Sequence, residues 1–209
     1  MAYVTLRRYT NLVAAIQMLR NRKITLLNPQ LWDDRNDAYG MSLYAEMRDA
    51  KSVLALCFAE QHETYHHWKV FSPGVDGVCI EFDRDGLMES IDGKPGIRSG
   101  MVKYRQIQQL RAKPPAVEQL PFVKRFPYRD EKEFRIIFTD MKNELDFKDF
   151  DFDLGCIKRI NLSPWTPKAL SDSVKATIKS IDGCEALTLS RSTLVDNDQW
   201  KNCLRGAAC

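Results

Sequence analysis

The stretch Phe122–Phe138, read as FVKRFPYRDEKEFRIIF, carries two glutamates two residues apart, Glu131 and Glu133, followed two residues later by Arg135. Paired carboxylates beside a guanidinium can hydrogen-bond a ribose, hold a cationic transition state or position a nucleophile. A basic pair, Lys124 and Arg125, leads into them through an aromatic and proline corner at Phe126, Pro127 and Tyr128. Phe134, Ile136 and Phe138 then alternate with Arg135 and Ile137, the period-two pattern of a half-buried strand. Side chains two apart share a face, so Glu131, Glu133 and Arg135 are expected together on one side and the aromatic row on the other. The same pattern also fits a surface ion-pair ladder with no chemistry in it.

Two further clusters have the residue types of a metal site and lack its spacing. LWDDRNDAYG crowds Asp33, Asp34, Asn36 and Asp37 beside Trp32. Such residues favour turns because their side chains bond their own backbone, so an Asx-rich loop is the first reading. A divalent-cation loop would need the glycine and terminal glutamate of a calcium site. His62 and His66 are four apart, beside His67 and Trp68, and no cysteine or carboxylate completes a ligand spacing. The six cysteines are scattered, and Cys57 and Cys79 sit in the apolar runs LALCF and GVCIEF as small hydrophobes. No metal is expected from these patterns. Asp34 and Asp37 could instead meet Lys124, Arg125 and Arg135 in a buried salt-bridge network that serves architecture.

The elements that must position these residues follow from periodicity. Tyr3–Arg8 reads as a first strand, with Thr10 or Asn11 capping a helix whose stripe is Leu12, Ile16 and Leu19. Ile24–Leu27 and the continuous apolar run Ser52–Phe58 read as strands, the second buried on both faces. Gly77–Phe82 is another strand, Asp83–Ser99 a glycine-rich loop, and Gln106–Lys113 a helix stopped by Pro114 and Pro115. Cys156–Leu162 reads as a strand, Leu170 to Ile181 as a helix with Thr166 as its cap, and Ala186–Leu189 as a last strand before a polar tail. There is no internal repeat and no linker, so residues 1–209 are expected to form one α+β domain, a mixed or antiparallel central sheet with flanking helices.

A net charge of +3 does not announce a nucleic-acid binder, yet its distribution is uneven. Basic residues crowd between Arg98 and Arg135, and acidic ones between Asp140 and Asp153. Lys103, Arg105, Lys124, Arg125 and Arg129 could therefore contact phosphates while Trp68, Phe126 or Tyr128 stack on bases. The N-terminus lacks the apolar core of a signal peptide and no run approaches a membrane span, which suggests a cytoplasmic, thiol-reduced protein without membrane partners.

The order of landmarks resembles a known family. The tyrosine and arginines of the first strand, WDD…D, LCF before a tryptophan turn, GVCIEF, VKRFPYRDEKEFRIIF and the closing RINLSP…RSTLV are similar to the bacterial family labelled domain of unknown function 2971. Two positions depart from that pattern: Ala59 stands where serine is usual after Cys-Phe, and Phe71 where tyrosine is usual. If either hydroxyl is catalytic in relatives, this chain does without it or uses Ser72.

In outline the chain also resembles ADP-ribosyltransferases of the arginine-serine-glutamate type. Arg8 (or Arg7) in LRRYT, the LCFAE strand end and Glu131-Lys132-Glu133 before FRIIF correspond to that family's landmarks, its serine motif being absent. The resemblance implies NAD as cofactor and a protein or nucleic acid as acceptor, with a part in conflict with phage or as a toxin. It gives Glu133 the nicotinamide ribose, Glu131 the acceptor and Arg8 the NAD pyrophosphate, and it places Tyr9, Trp68, Ser72, Lys124, Arg125 and Arg135 around the cofactor. Two other classes stay open: a binding module for nucleic acid or nucleotides, and metal-dependent phosphodiester hydrolysis by Asp34, Asp37 and the glutamates.

Overall fold

The computed structural model describes residues 4–206, so Tyr3 at the start of the expected first strand lies outside them. Strand β1 runs over Thr5–Asn11, and Asn11 caps helix α1, Leu12–Asn21, by accepting the amide of Ala14 at 2.9 Å. The helix buries Ala15, Met18 and Leu19, then turns into β2, Lys23–Leu27, through Arg22 in the left-handed region. The aspartate-rich segment is not a loop. Asp34 accepts the amides of Asn36 and Asp37 at 3.0 and 3.4 Å and starts helix α2, Arg35–Met47. Its inner face is Asp37, Ala38, Met41 and Tyr44, a stripe that Gly40 and the polar opening hide from a periodicity reading.

Strand β3 is Ser52–Ala59, and helix α3 is Tyr65–Phe71 with Thr64 as its cap. His62 precedes that helix, so His62 and His66 do not share a helical face. After β4, Gly77–Asp83, the supposed loop holds helix α4, Arg84–Glu89, capped by Asp83, and strand β5, Ile97–Met101. Strand β6, Lys103–Arg105, helix α5, Ile107–Ala112, and strand β7, Val123–Arg125, lead to β8, Glu133–Asp140. Strands β9, Phe147–Asp151, and β10, Ile157–Leu162, precede helix α6, Lys168–Lys179. The hydroxyl of Thr166 donates to the carbonyl of Val75 instead of capping α6. The last elements are β11, Leu189–Arg191, and helix α7, Asp198–Gly206, which lies in the supposed polar tail.

One sheet takes the order β11-β10-β4-β1-β3-β2-β9, with β8 paired to β3 and β5 to β8. All of these neighbours are antiparallel except β10 with β11, so the sheet is mixed and the domain α+β. Strand β8 is buried on both faces. Phe134, Ile136 and Phe138 join the main core with Leu6, Leu19, Ile24, Leu56, Phe82 and Ile160, while Ile137 packs with Met41, Tyr44, Val53 and Ala55 under α2. A fully buried side chain of this kind contributes about 1.5–3 kcal/mol, which ties α2 to the face that also carries Glu133 and Arg135.

A fork in the sheet sets the position of the site. Along one edge β3 pairs with β8 over eight residues, Ser52 to Ala59. Along the other it meets β1 only at Ala59, opposite Arg7, and β2 only at Ala55, opposite Leu27. Cys57 lies between those registers, where β1 and β2 part.

Candidate functional site

Glu131 and Glu133 do converge, by a route that strand alternation does not describe. Residues Phe126–Glu131 form a 3-10 turn, Lys132 takes a left-handed conformation with φ of 42°, and β8 begins only at Glu133. That single left-handed residue brings both glutamates onto Lys124. Its Nζ lies 2.7 Å from Glu131 Oε2, 3.2 Å from Glu133 Oε2 and 3.6 Å from Asp37 Oδ2.

Arg135 is the second cation of the cluster. Its Nε donates to Glu133 Oε1 at 2.8 Å, Nη1 and Nη2 donate to the two oxygens of Asp37 at 3.0 and 2.7 Å, and Nη1 also reaches the carbonyl of Pro121 at 2.8 Å. The side chain is wholly buried, with the ring of Trp32 4.8 Å from its guanidinium carbon. Arg135 therefore lies outside the lining of the cleft that these carboxylates face, behind the groups it holds. It pins α2 to β8 through a bidentate pair, the strongest geometry available to a guanidinium and a carboxylate.

Burial and charge pull the two glutamates apart. Burial pushes Glu133 up, but Arg135 and Lys124 outweigh it and hold its carboxyl below the usual range. For Glu131 burial wins over Lys124, and its carboxyl sits above the usual range. Burial opposes the charged form of Lys124, yet Glu133 and Glu131 hold its ammonium above the ordinary lysine value. The site thus pairs one firmly ionised carboxylate with a more basic one, the division of labour that acid–base chemistry needs.

Both glutamates, Lys124 and Asp37 line a cleft of about 820 Å³ together with Arg7, Arg8, Tyr9 and Thr10 of β1. The adjacent arginines have different fates. Arg7 is spent on structure, donating to Glu81 at 3.3 Å and to the carbonyls of Glu60 and Gln61 at 3.2 and 3.1 Å. Arg8 donates once, to the carbonyl of Cys57 in the fork at 3.2 Å, and makes no ion pair among the described residues. Burial lowers its affinity for the proton, but a guanidinium stays charged in proteins, so Arg8 offers the cleft several uncommitted N–H donors.

Other expected residues fall in varied places. Tyr9 lines the cleft, with its ring stacked on His67 at 5.5 Å. Ser72 also lines it, while its hydroxyl donates to the carbonyl of Thr10 at 2.5 Å and clips α3 to β1. Trp68 is fully buried away from the cleft lining, packed on Tyr9, Ala59 and Cys79 and donating to Glu63 at 3.0 Å, so it is a core residue. Arg125 is exposed and outside the lining. Asp34 serves as a helix cap, and Asp37, Glu131 and Glu133 are each taken up by side-chain cations. Among the described residues no group of three or more His, Cys, Asp or Glu is arranged to hold a metal ion.

Trp32, Cys57 and Tyr104 are site residues that the sequence left unassigned, whereas the expected buried salt-bridge network forms from Asp37 with Lys124 and Arg135 and without Asp34 or Arg125. Tyr104 Oη accepts the backbone N–H of Glu133 at 2.8 Å. Asp37 had a signal that those three lack: it is the acid at the third position after the cap Asp34, on the inward stripe with Met41 and Tyr44.

No protein-family profile matches the chain, so the expected membership of the domain of unknown function 2971 family has no family match behind it. No curated protein matches it in sequence. Among solved structures it is similar to Thermus sp. 2.9 DarT in complex with ADP-ribosylated ssDNA, at 10% identity and a TM-score of 0.48 over 92% of this chain and 95% of that one. It is similar to the same protein in complex with NAD+ at 10% identity and a TM-score of 0.47, over 92% of this chain and 96% of that one. No helix among the described residues is long and apolar enough to cross a membrane.

Proposed function

We propose that this chain binds NAD in the cleft and transfers its ADP-ribose to a macromolecular acceptor. The observation that supports this reading best is one of opposition: the uncommitted cation Arg8 and the paired carboxylates Glu131 and Glu133 line a single cleft. A dinucleotide presents both signs of that complementarity, an anionic pyrophosphate and a ribose on which positive charge develops as nicotinamide leaves. Arg8 would take the pyrophosphate as a planar guanidinium suits. Glu133, kept ionised by Arg135 and Lys124, would stabilise the ribose cation, where a preorganised charge in a partly dry site counts most. The bond from the anomeric carbon to nicotinamide would break with its electron pair passing to nicotinamide, the acceptor atom would bond to that carbon, and Glu131, the more basic of the two carboxylates, would take the acceptor's proton.

An exposed basic surface favours a nucleic-acid acceptor over a protein. Lys103, Arg105, Arg111, Lys113 and Arg125 are exposed and make no ion pair among the described residues. Arg129 stacks on the exposed ring of Phe126 at 4.5 Å, and neighbouring Tyr128 reaches the cleft. Unneutralised cations with aromatic platforms suit a single strand.

Wild type and Glu133→Ala incubated with labelled NAD and either oligonucleotides or a bacterial lysate test the reading. It expects nicotinamide release and label transfer from the wild type alone, and transfer without nucleic acid would move the acceptor to protein. No NAD binding by calorimetry would refute it and favour a simple binding module, whose affinity falls steeply with salt and ignores Glu133→Ala.

A further inference from the structure

Strands β6 and β7 form a short parallel ribbon in which Tyr104 stands opposite Lys124. Alternation turns their neighbours outward, so Lys103, Arg105 and Arg125 are exposed, while the Lys124 side chain retains only 10% exposure. The inward pair reaches the glutamates from one element, Tyr104 through the Glu133 amide and Lys124 through the carboxylates.

A charge count gives Lys124 its importance. Asp37, Glu131 and Glu133 are paired with two cations while Arg8 acts on Glu133 from beyond ion-pair distance, and Arg135 pairs with Asp37 and Glu133 but not with Glu131. Among the described residues Lys124 is the one cation paired with Glu131. Without it Glu131 would be a buried carboxylate facing Glu133 and Asp37, a state that proteins escape by protonation.

We propose that Lys124 is a positioning residue and not a cofactor contact: its ammonium fixes Glu131 beside Glu133 and supplies the positive charge that lets both be ionised together. The catalytic side of this role rests on the reading of the cleft as a site of ADP-ribosyl transfer; the electrostatic side does not. The groups that bear on Glu131 are Lys124 from β7, Glu133 and through it Arg135 from β8, Arg8 from β1 and Cys57 from β3, then Asp37 from α2, Tyr104 from β6, and His67 of α3 against its main chain.

Thermal unfolding of wild type, Lys124→Met and Lys124→Arg, followed between about pH 8 and pH 5.5, tests the electrostatic role without any turnover. A buried acid whose proton affinity is raised destabilises the fold only while ionised, so the deficit of Lys124→Met should be largest at the alkaline end and at least halve toward the acid end. Lys124→Arg should recover most of it. A deficit that is the same at every pH overturns the proposal.

The second arm is the pH profile of NAD turnover. Lys124→Met should move the acid limb of kcat/KM up by about one pH unit, a tenfold loss on the acid side, with KM for NAD unchanged and Lys124→Arg restoring the limb. A raised KM with an unmoved limb would make Lys124 a cofactor contact and overturn the proposal. If the wild type turns over no NAD, the reading of the cleft fails while the unfolding arm still decides the role of Lys124.

Discussion

Replacing Asp37 with alanine should be among the most damaging single changes in this protein, although Asp37 belongs to no hydrophobic cluster. Arg135 is wholly buried, and Asp37 supplies two of its hydrogen bonds, at 3.0 and 2.7 Å. Removing one partner of a buried pair leaves a charge that cannot return to water, at a cost of about 3–5 kcal/mol. Glu133 and the Pro121 carbonyl still hold Arg135, which puts the expected loss near the lower end, about 3 kcal/mol. For a chain of this size each kcal/mol moves the melting midpoint by about 2–4 °C, so Asp37→Ala should melt about 10 °C lower. The control is Glu118→Ala, which also deletes one carboxylate, here from half-exposed pairs with Arg48 and Arg98. Such pairs contribute about 1 kcal/mol or less. Urea unfolding of both variants at neutral pH measures the contrast directly. The double change Asp37→Leu with Arg135→Met should recover much of the loss, because it removes the stranded charge beside Met41 and Trp32. If Asp37→Ala costs no more than Glu118→Ala, Glu133 and the Pro121 carbonyl satisfy Arg135 and the argument for a stranded buried charge fails.

Two further outcomes follow from the same physics. Gly40 lies inside α2, and a methyl group there would meet only the Leu120 carbonyl at an ordinary 3.9 Å, so Gly40→Ala should stabilise the protein by about 0.5–1 kcal/mol in denaturant unfolding. Because the Glu133 carboxyl is held below its ordinary value, its contribution should be complete above the unfolded glutamate pKa of about 4.3 and vanish as pH falls through the lower folded value. The gap in melting midpoint between wild type and Glu133→Gln should therefore be flat at neutral pH and close only in acid.

Where one segment carries its own pattern, the fold was legible. Ser52–Phe58 reads as a buried strand because its apolar run is unbroken, one residue short of β3, and the Phe134, Ile136, Phe138 row reads as one face of β8 because nothing interrupts its alternation. Helix α2 was hidden because its stripe includes a charged residue, Asp37, whose burial is affordable only with Arg135, a partner far along the chain. The same limit applies to the site. Glu131 and Glu133 were visible as a pair, but the left-handed turn at Lys132 that aims them is a backbone state that sequence spacing does not encode. Trp68 looked like a stacking platform because its type suits one. Its burial against Tyr9 and Cys79 depends on the packing of α3 over β1 and β4. Arg7 and Arg8 cannot be told apart in LRRYT, and only the fork beyond Cys57 leaves one of them free.

The bond from Arg135 to Asp37 spans 98 residues, and that from Arg8 to Cys57 spans 49. Contacts of this separation form late, because the loop between them must close before they repay its entropy. During synthesis α2 emerges long before β8, so Asp37 waits for a partner that does not yet exist, whereas Arg8 waits only for β3. A nascent chain that has not reached Arg135 holds Asp37 and Glu133 without the buried cation that pairs with both. The long reach of this network is thus a timer: the charge cluster is complete only once β8 has been made and docked.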